Sequence, residues 1–154
     1  MANAIYFEDV VPGEKLRCGP YRVSKEEMVE YSQKWNPLPF HVNEAAAKAS
    51  IYGGLTAPST YILAVRTVLL DRLPLTEAMS GTIVWDEVRF LLPVRPGDDI
   101  LLEMEMLEKR LSRSRPDRGI VKTRVTLFNQ HGEAVMSQFD TIMLRLRGPA
   151  SGGT

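Results

Sequence analysis

Ser59-Thr60-Tyr61-Ile62-Leu63-Ala64-Val65-Arg66-Thr67-Val68-Leu69-Leu70 is apolar nearly all round, with Arg66 as its only charge. A helix that is hydrophobic on every face belongs inside a folded protein, covered by other elements. It is also too short to span a hydrocarbon core, which takes about 20 residues. Its cover must come from the rest of the chain.

On its C-terminal side the hydrophobic period changes from helical to strand-like. Thr82–Leu92, Ile100–Leu111, Ile120–Asn129 and Ala134–Leu146 are rich in Val, Ile, Leu, Thr and Phe and read as strands. Lys122, Arg124 and Thr126 alternate with Val121, Thr123, Val125 and Leu127, which is the pattern of a strand with one wet face. The connections carry turn residues: Pro93-Val94-Arg95-Pro96-Gly97-Asp98, the polar Ser112–Gly119, and the hairpin turn Asn129-Gln130-His131-Gly132. One buried helix followed by an antiparallel meander predicts an α+β fold, a curved sheet rolled around the helix and hiding it on most sides. A lone sheet leaves an open edge, and dimerisation by edge pairing is a common remedy.

On the N-terminal side, Pro12-Gly13 marks a turn and Lys15–Val23 a strand interrupted by Gly19-Pro20, hence an edge or a bulge. Ser24-Lys25-Glu26-Glu27 has the spacing of a capping box, with Ser24 as N-cap and Glu27 reaching back. The helix it opens runs to about Lys34, with Met28, Tyr31 and Trp35 spaced to share one face. Asn36-Pro37 stops it. A short helix follows from Asn43 or Glu44 to Ser50, ended by Gly53-Gly54. Between these helices, Trp35-Asn36-Pro37-Leu38-Pro39-Phe40-His41-Val42-Asn43-Glu44 holds one of the chain's two histidines. Two prolines deny this segment regular helix or a central strand. Histidine on such a loop suits proton transfer, although a capping or solvated histidine is the plainer reading.

The 154 residues suit a single domain over 1–147, with 148–154, small and polar, as a disordered tail. Basic and acidic residues balance at 19 each, so no field for nucleic acid or anionic lipid is expected. Cys18 alone excludes an intramolecular disulfide and fits a reducing compartment. The first residues lack the features of a signal peptide, so a soluble, cytoplasmic protein is expected. His131 in its turn, His41 and a distant Cys18 give no metal-ligand spacing, and there is no glycine-rich phosphate loop.

Tyr6-Phe7-Glu8-Asp9 with Pro12-Gly13, then Ser24–Trp35, then Asn36-Pro37-Leu38-Pro39-Phe40-His41, then Gly53-Gly54-Leu55, come in an order that resembles the MaoC-like family of hot-dog-fold hydratases and dehydratases. Trp85-Asp86-Glu87-Val88-Arg89-Phe90 and Pro93–Asp98 form a second similar block, and the likeness covers about residues 5–146. The resemblance implies the hot-dog fold, with the sheet wrapped around Ser59–Leu70 and dimerisation or higher homo-oligomerisation through the sheet. It implies reversible addition of water to a 2-enoyl thioester of the acyl-CoA type, with no cofactor beyond the CoA of the substrate. It further implies an acid–histidine dyad spaced Asp-x-x-x-x-His, and a thioester oxygen polarised by backbone N–H groups at the start of the central helix.

His41 matches the family histidine, but Asn36 stands where the acid belongs, and an amide cannot deprotonate water. Pro58-Ser59 also departs from the family's small-residue or His-Gly pair; Ser59 and Thr60 still offer N–H groups, and Ser59 equally suits a helix cap. Gly53 and Gly54 are candidates to line the acyl tunnel. Three readings follow: hydration carried by His41 with Asn36 positioning water, a non-catalytic acyl-thioester-binding protein or subunit, and thioester hydrolysis. Hydrolysis ranks last because Tyr61–Leu70 carries no carboxylate. Glu44 is a candidate substitute acid, while Asp86 and Glu87 read as solvated or paired with Arg89. Lys109, Arg110, Arg113, Arg115 and Arg118 form a basic cluster that could meet nucleotide phosphates.

Overall fold

Five strands form one sheet in the computed structural model, which describes residues 3–148. They are β1 (Lys15–Arg22), β2 (Met79–Phe90), β3 (Asp99–Leu111), β4 (Arg118–Phe128) and β5 (Ala134–Arg145), ordered β1-β3-β4-β5-β2, every neighbouring pair antiparallel. Val121, Thr123, Val125 and Leu127 are buried and Lys122 and Arg124 exposed, so β4 has the dry and wet faces its alternation predicts. β1 is an edge strand, and its register slips between Cys18 and Tyr21, around Gly19-Pro20. Proline has no N–H for the ladder, which confines it to such a place. The tail expected over 148–154 lies, beyond Gly148, outside the described residues.

The helices are α1 (Lys25–Trp35), α2 (Pro39–Val42), α3 (Glu44–Ala49) and α4 (Ser59–Leu70). α4 lies against the sheet through Tyr61, Ile62, Val65, Arg66 and Leu69, all buried. Each large apolar side chain buried this way contributes about 1.5–3 kcal/mol. The expectation of a helix hidden on most sides needs correction within this chain: Thr60, Ala64, Thr67 and Val68, on the opposite face, are exposed. A single five-stranded layer covers only the side it touches.

Arg66, 2 % exposed, pairs with Asp140 of β5, whose other oxygen accepts from Gln138 Nε2 at 2.5 Å. Burial pushes the Arg66 guanidinium down to about 10, which leaves it charged at neutral pH beside its carboxylate. The Trp85 ring lies 5.1 Å from the same guanidinium.

Three local expectations change. Ser24 caps α1 by accepting from Glu27 N–H at 3.2 Å, but the reciprocal half of the box is absent. The Glu27 carboxylate instead accepts from Tyr21 and Tyr61 hydroxyls at 2.5 and 2.7 Å, tying α1 to β1 and α4. Trp35 does not share the buried face of Met28; it is 65 % exposed, beyond the last turn that α1 packs. The segment around His41 is also not all loop, for α2 is one helical turn. Pro39 stands in its first turn, where a missing N–H costs nothing.

Candidate active site

His41 is 5 % exposed and is held by the chain on both sides. Its N–H donates to the Leu38 carbonyl at 2.9 Å, closing the turn of α2. Its ring Nδ1 lies 2.6 Å from the Thr56 carbonyl oxygen. A carbonyl only accepts, so the ring proton sits on Nδ1 and Nε2 carries the lone pair of the neutral ring. Thr56 is itself fixed: its N–H donates to the Phe40 carbonyl at 3.3 Å and its hydroxyl to the Val94 carbonyl at 3.3 Å. The next residue, Ala57, donates to Val94 at 2.8 Å, so the segment leading into α4 is laced to the β2–β3 connection.

Asn36 is the C-cap of α1, its N–H donating to Ser32 and its carbonyl accepting from Leu38, both at 2.9 Å. Asn36, His41 and Ser59 line one cavity of about 460 Å³, with Ile62, Phe90 and Leu92 among its apolar walls. Ser59 does not cap α4. Pro58 holds the N-cap position, and no side chain there accepts from the first turn. The opening N–H groups of a helix have no acceptor within it, so the positive end of α4 is left free at the cavity. Thr60, also expected at the site, is exposed and is not among the residues lining it.

Other candidates lie elsewhere. Gly53 and Gly54 line a neighbouring cleft rather than this cavity. Glu44 pairs with Lys25 in the lining of that cleft and is not among the residues lining the His41 cavity. Asp86 and Glu87 are exposed on β2. Among the described residues lining the His41 cavity, none is a carboxylate. The basic cluster sits at the far end of the sheet. On β5, Met136 pairs with Phe90 at the cavity, whereas Leu144 pairs with Gly119 at the cluster. At about 3.3 Å per residue those ends are roughly 26 Å apart. Arg118 is bound there by Asp117 at 2.9 Å, and Lys109 donates to the Phe7 carbonyl at 3.3 Å.

Sequence reasoning missed Phe90, Leu91 and Leu92 as cavity walls and Thr56 as the ring's anchor. The available signal for the first was the unbroken apolar run before Pro93. It follows a bulge in which Glu87 and Val88 face the single residue Gln138.

A family model described as the MaoC like domain matches residues 8–128. The crystal structure of a MaoC-like dehydratase from Rhodospirillum rubrum superposes with a TM-score of 0.86 at 31% identity, over 95% of this chain and 100% of that one. The R-hydratase PhaJ1 of Pseudomonas aeruginosa shares the fold, with a TM-score of 0.75 at 21% identity over 97% of each chain. A mesaconyl-CoA hydratase of Cereibacter sphaeroides is 28% identical over 148 residues, which span 95% of this chain but 43% of that longer protein. The architecture is therefore the hot-dog fold expected from the sequence.

Proposed function

Because the chain belongs to the MaoC-like domain family, we propose that it adds water reversibly to the 2,3 double bond of an acyl-CoA-type thioester. The observation that carries this reading is the commitment of His41 Nδ1 to Thr56, which leaves Nε2 as a base in a cavity that also holds Asn36 and the free end of α4. The thioester carbonyl accepts from the unpaired N–H groups of the first turn of α4, where the helix dipole stabilises enolate charge. Asn36 holds a water by its amide, and His41 Nε2 takes a proton from it. The water oxygen bonds to C3, the π pair shifts towards the thioester carbonyl, and the imidazolium returns the proton to C2. Dehydration is the same path reversed.

Incubation with short 2-enoyl-CoA esters, followed by the enoyl absorbance, tests this. Turnover is expected, and His41→Ala is expected to lose about 10²–10⁴ of it while keeping the fold. No turnover at any chain length, with none gained in Asn36→Asp, sinks the catalytic claim. The lack of a carboxylate among the described cavity residues favours a second reading, a non-catalytic acyl-thioester binder, which predicts calorimetric binding of the esters without turnover.

The same reading makes the protein a homodimer. β2 is a sheet edge on which Ile83, Val84, Trp85, Val88 and Phe90 are all exposed. An apolar edge of that length pairs with another chain. Phe90, Leu91 and Leu92 on that side also wall the cavity, so a second copy would close it.

A further inference from the structure

A second cleft, of about 550 Å³, lies beside the His41 cavity, bounded by Lys25 of α1, Lys48 of α3 and Arg95, with Gly53 and Gly54 between them. The two share a wall. Tyr52 and Thr56 line the cavity while Gly53–Leu55 line the cleft, and Pro93 and Val94 line the cavity while Arg95 and Pro96 line the cleft. Three cations here meet one anion, Glu44, which is paired with Lys25. Lys48 and Arg95 have no carboxylate partner among the described residues.

Arg95 is oriented without being neutralised. Its guanidinium donates to the Tyr52 carbonyl and, at 3.3 Å, to the Leu55 carbonyl. A Cβ on Gly54 would stand 3.2 Å from Arg95 Nη1, so glycine lets the guanidinium lie against the loop. Gly53, at φ +65°, has open space where its Cβ would be. The result is a positive pocket with a backbone floor and two uncompensated charges, one of them rigidly placed.

We propose that this cleft holds the diphosphate of a coenzyme A thioester whose acyl end occupies the His41 cavity. The proposal rests on the acyl-thioester reading above. The pantetheine arm separates sulfur from diphosphate, so one ester needs two subsites side by side, one apolar with a base and one cationic. Lysine binds phosphate as a point charge and arginine through its fork. A pantetheine carried on a protein brings a single, singly charged phosphodiester, and two uncompensated cations match the diphosphate better.

Calorimetry with a saturated four-carbon acyl-CoA, and with the same acyl group on pantetheine without phosphates, separates the outcomes. The wild-type protein is expected to bind the CoA ester about tenfold or more tightly than the pantetheine ester, with the difference shrinking as salt rises. Lys48→Glu, an exposed change on α3, is expected to remove most of that difference and leave the pantetheine ester's affinity as it was. Equal binding of both esters by the wild type overturns the cleft assignment while the thioester reading stands. Binding of neither ester overturns both. A CoA preference that survives Lys48→Glu intact puts the phosphates elsewhere and overturns the assignment.

Discussion

Thr56 and Asn36 together define what His41 can do. The Thr56 carbonyl accepts a hydrogen bond from Nδ1–H, so the ring presents one basic nitrogen, and Asn36 can orient a water or hydroxyl without exchanging a proton. On the proposed hydration His41 would serve as both base and acid, and placing a carboxylate at position 36 should help it. Asn36→Asp is expected to raise kcat on enoyl-CoA by about tenfold or more, within the range of one general acid–base group. An unchanged kcat would mean that Asn36 does not face the reacting water. Arg66 and Asp140 make the other residue-scale case. Asp140→Ala leaves a buried guanidinium without its counter-charge and should cost about 3–5 kcal/mol in urea unfolding. Arg66→Met with Asp140→Leu removes both charges and should cost markedly less. Arg66 was visible as the lone charge of an apolar helix, but its partner lies 74 residues away on β5 and had no local sign.

Among the elements, α4 and the strands were legible because their periods are long and unambiguous. Ser59–Leu70 has the boundaries read from its apolar run, and the four later strands begin and end within a few residues of expectation. The short elements were harder. α2 is one turn made possible by Pro39 at its start, and a four-residue element has no period to read. Gly119 shows a constraint that no local pattern carries. A Cβ there would fall 2.2 Å from the Phe7 ring, which crosses β4 at that point. Gly119→Ala is expected to destabilise the protein by about 1–3 kcal/mol, read as a lower urea midpoint with unchanged slope. A midpoint equal to wild type would show that Phe7 can swing aside at no cost.

At the scale of the molecule, the exposed β2 edge and the bare face of α4 bear on the proposed dimer. Trp85, 46 % exposed, covers the buried Arg66 from that edge. If two copies pair there, Val84→Lys is expected to shift the protein from dimer to monomer in sedimentation and to lower thioester turnover with it. A dimer of unchanged mass would exclude β2 as the interface. Acid stability is also a property of the whole surface. The Tyr6 N–H and then Arg147 hold the Asp9 carboxyl below its usual range, and Arg22 and Arg118 do the same for Asp99 and Asp117. Their folded-state values lie under their unfolded ones, so their stabilisation is present above the ordinary carboxylate range and is lost as pH falls through the depressed values. The urea midpoint should therefore drop below about pH 4. Asp99→Asn should flatten part of that drop, because it removes a proton that unfolding would otherwise take up.

By itself the sequence determined the element order, the α+β class, the dry face of the sheet and the placing of His41 before the central helix. These rest on periodicity, capping and turn chemistry, which act over a few residues. Only the tertiary structure decided which nitrogen of His41 is free, that Glu44 turns to Lys25 and away from the cavity, and that Gly53 and Gly54 face a cationic cleft. Each of those depends on a group brought close in space by the packing of segments distant in the chain. Hydrogen bonds and ion pairs act over a few ångströms, and residue spacing along the sequence does not fix distances of that kind.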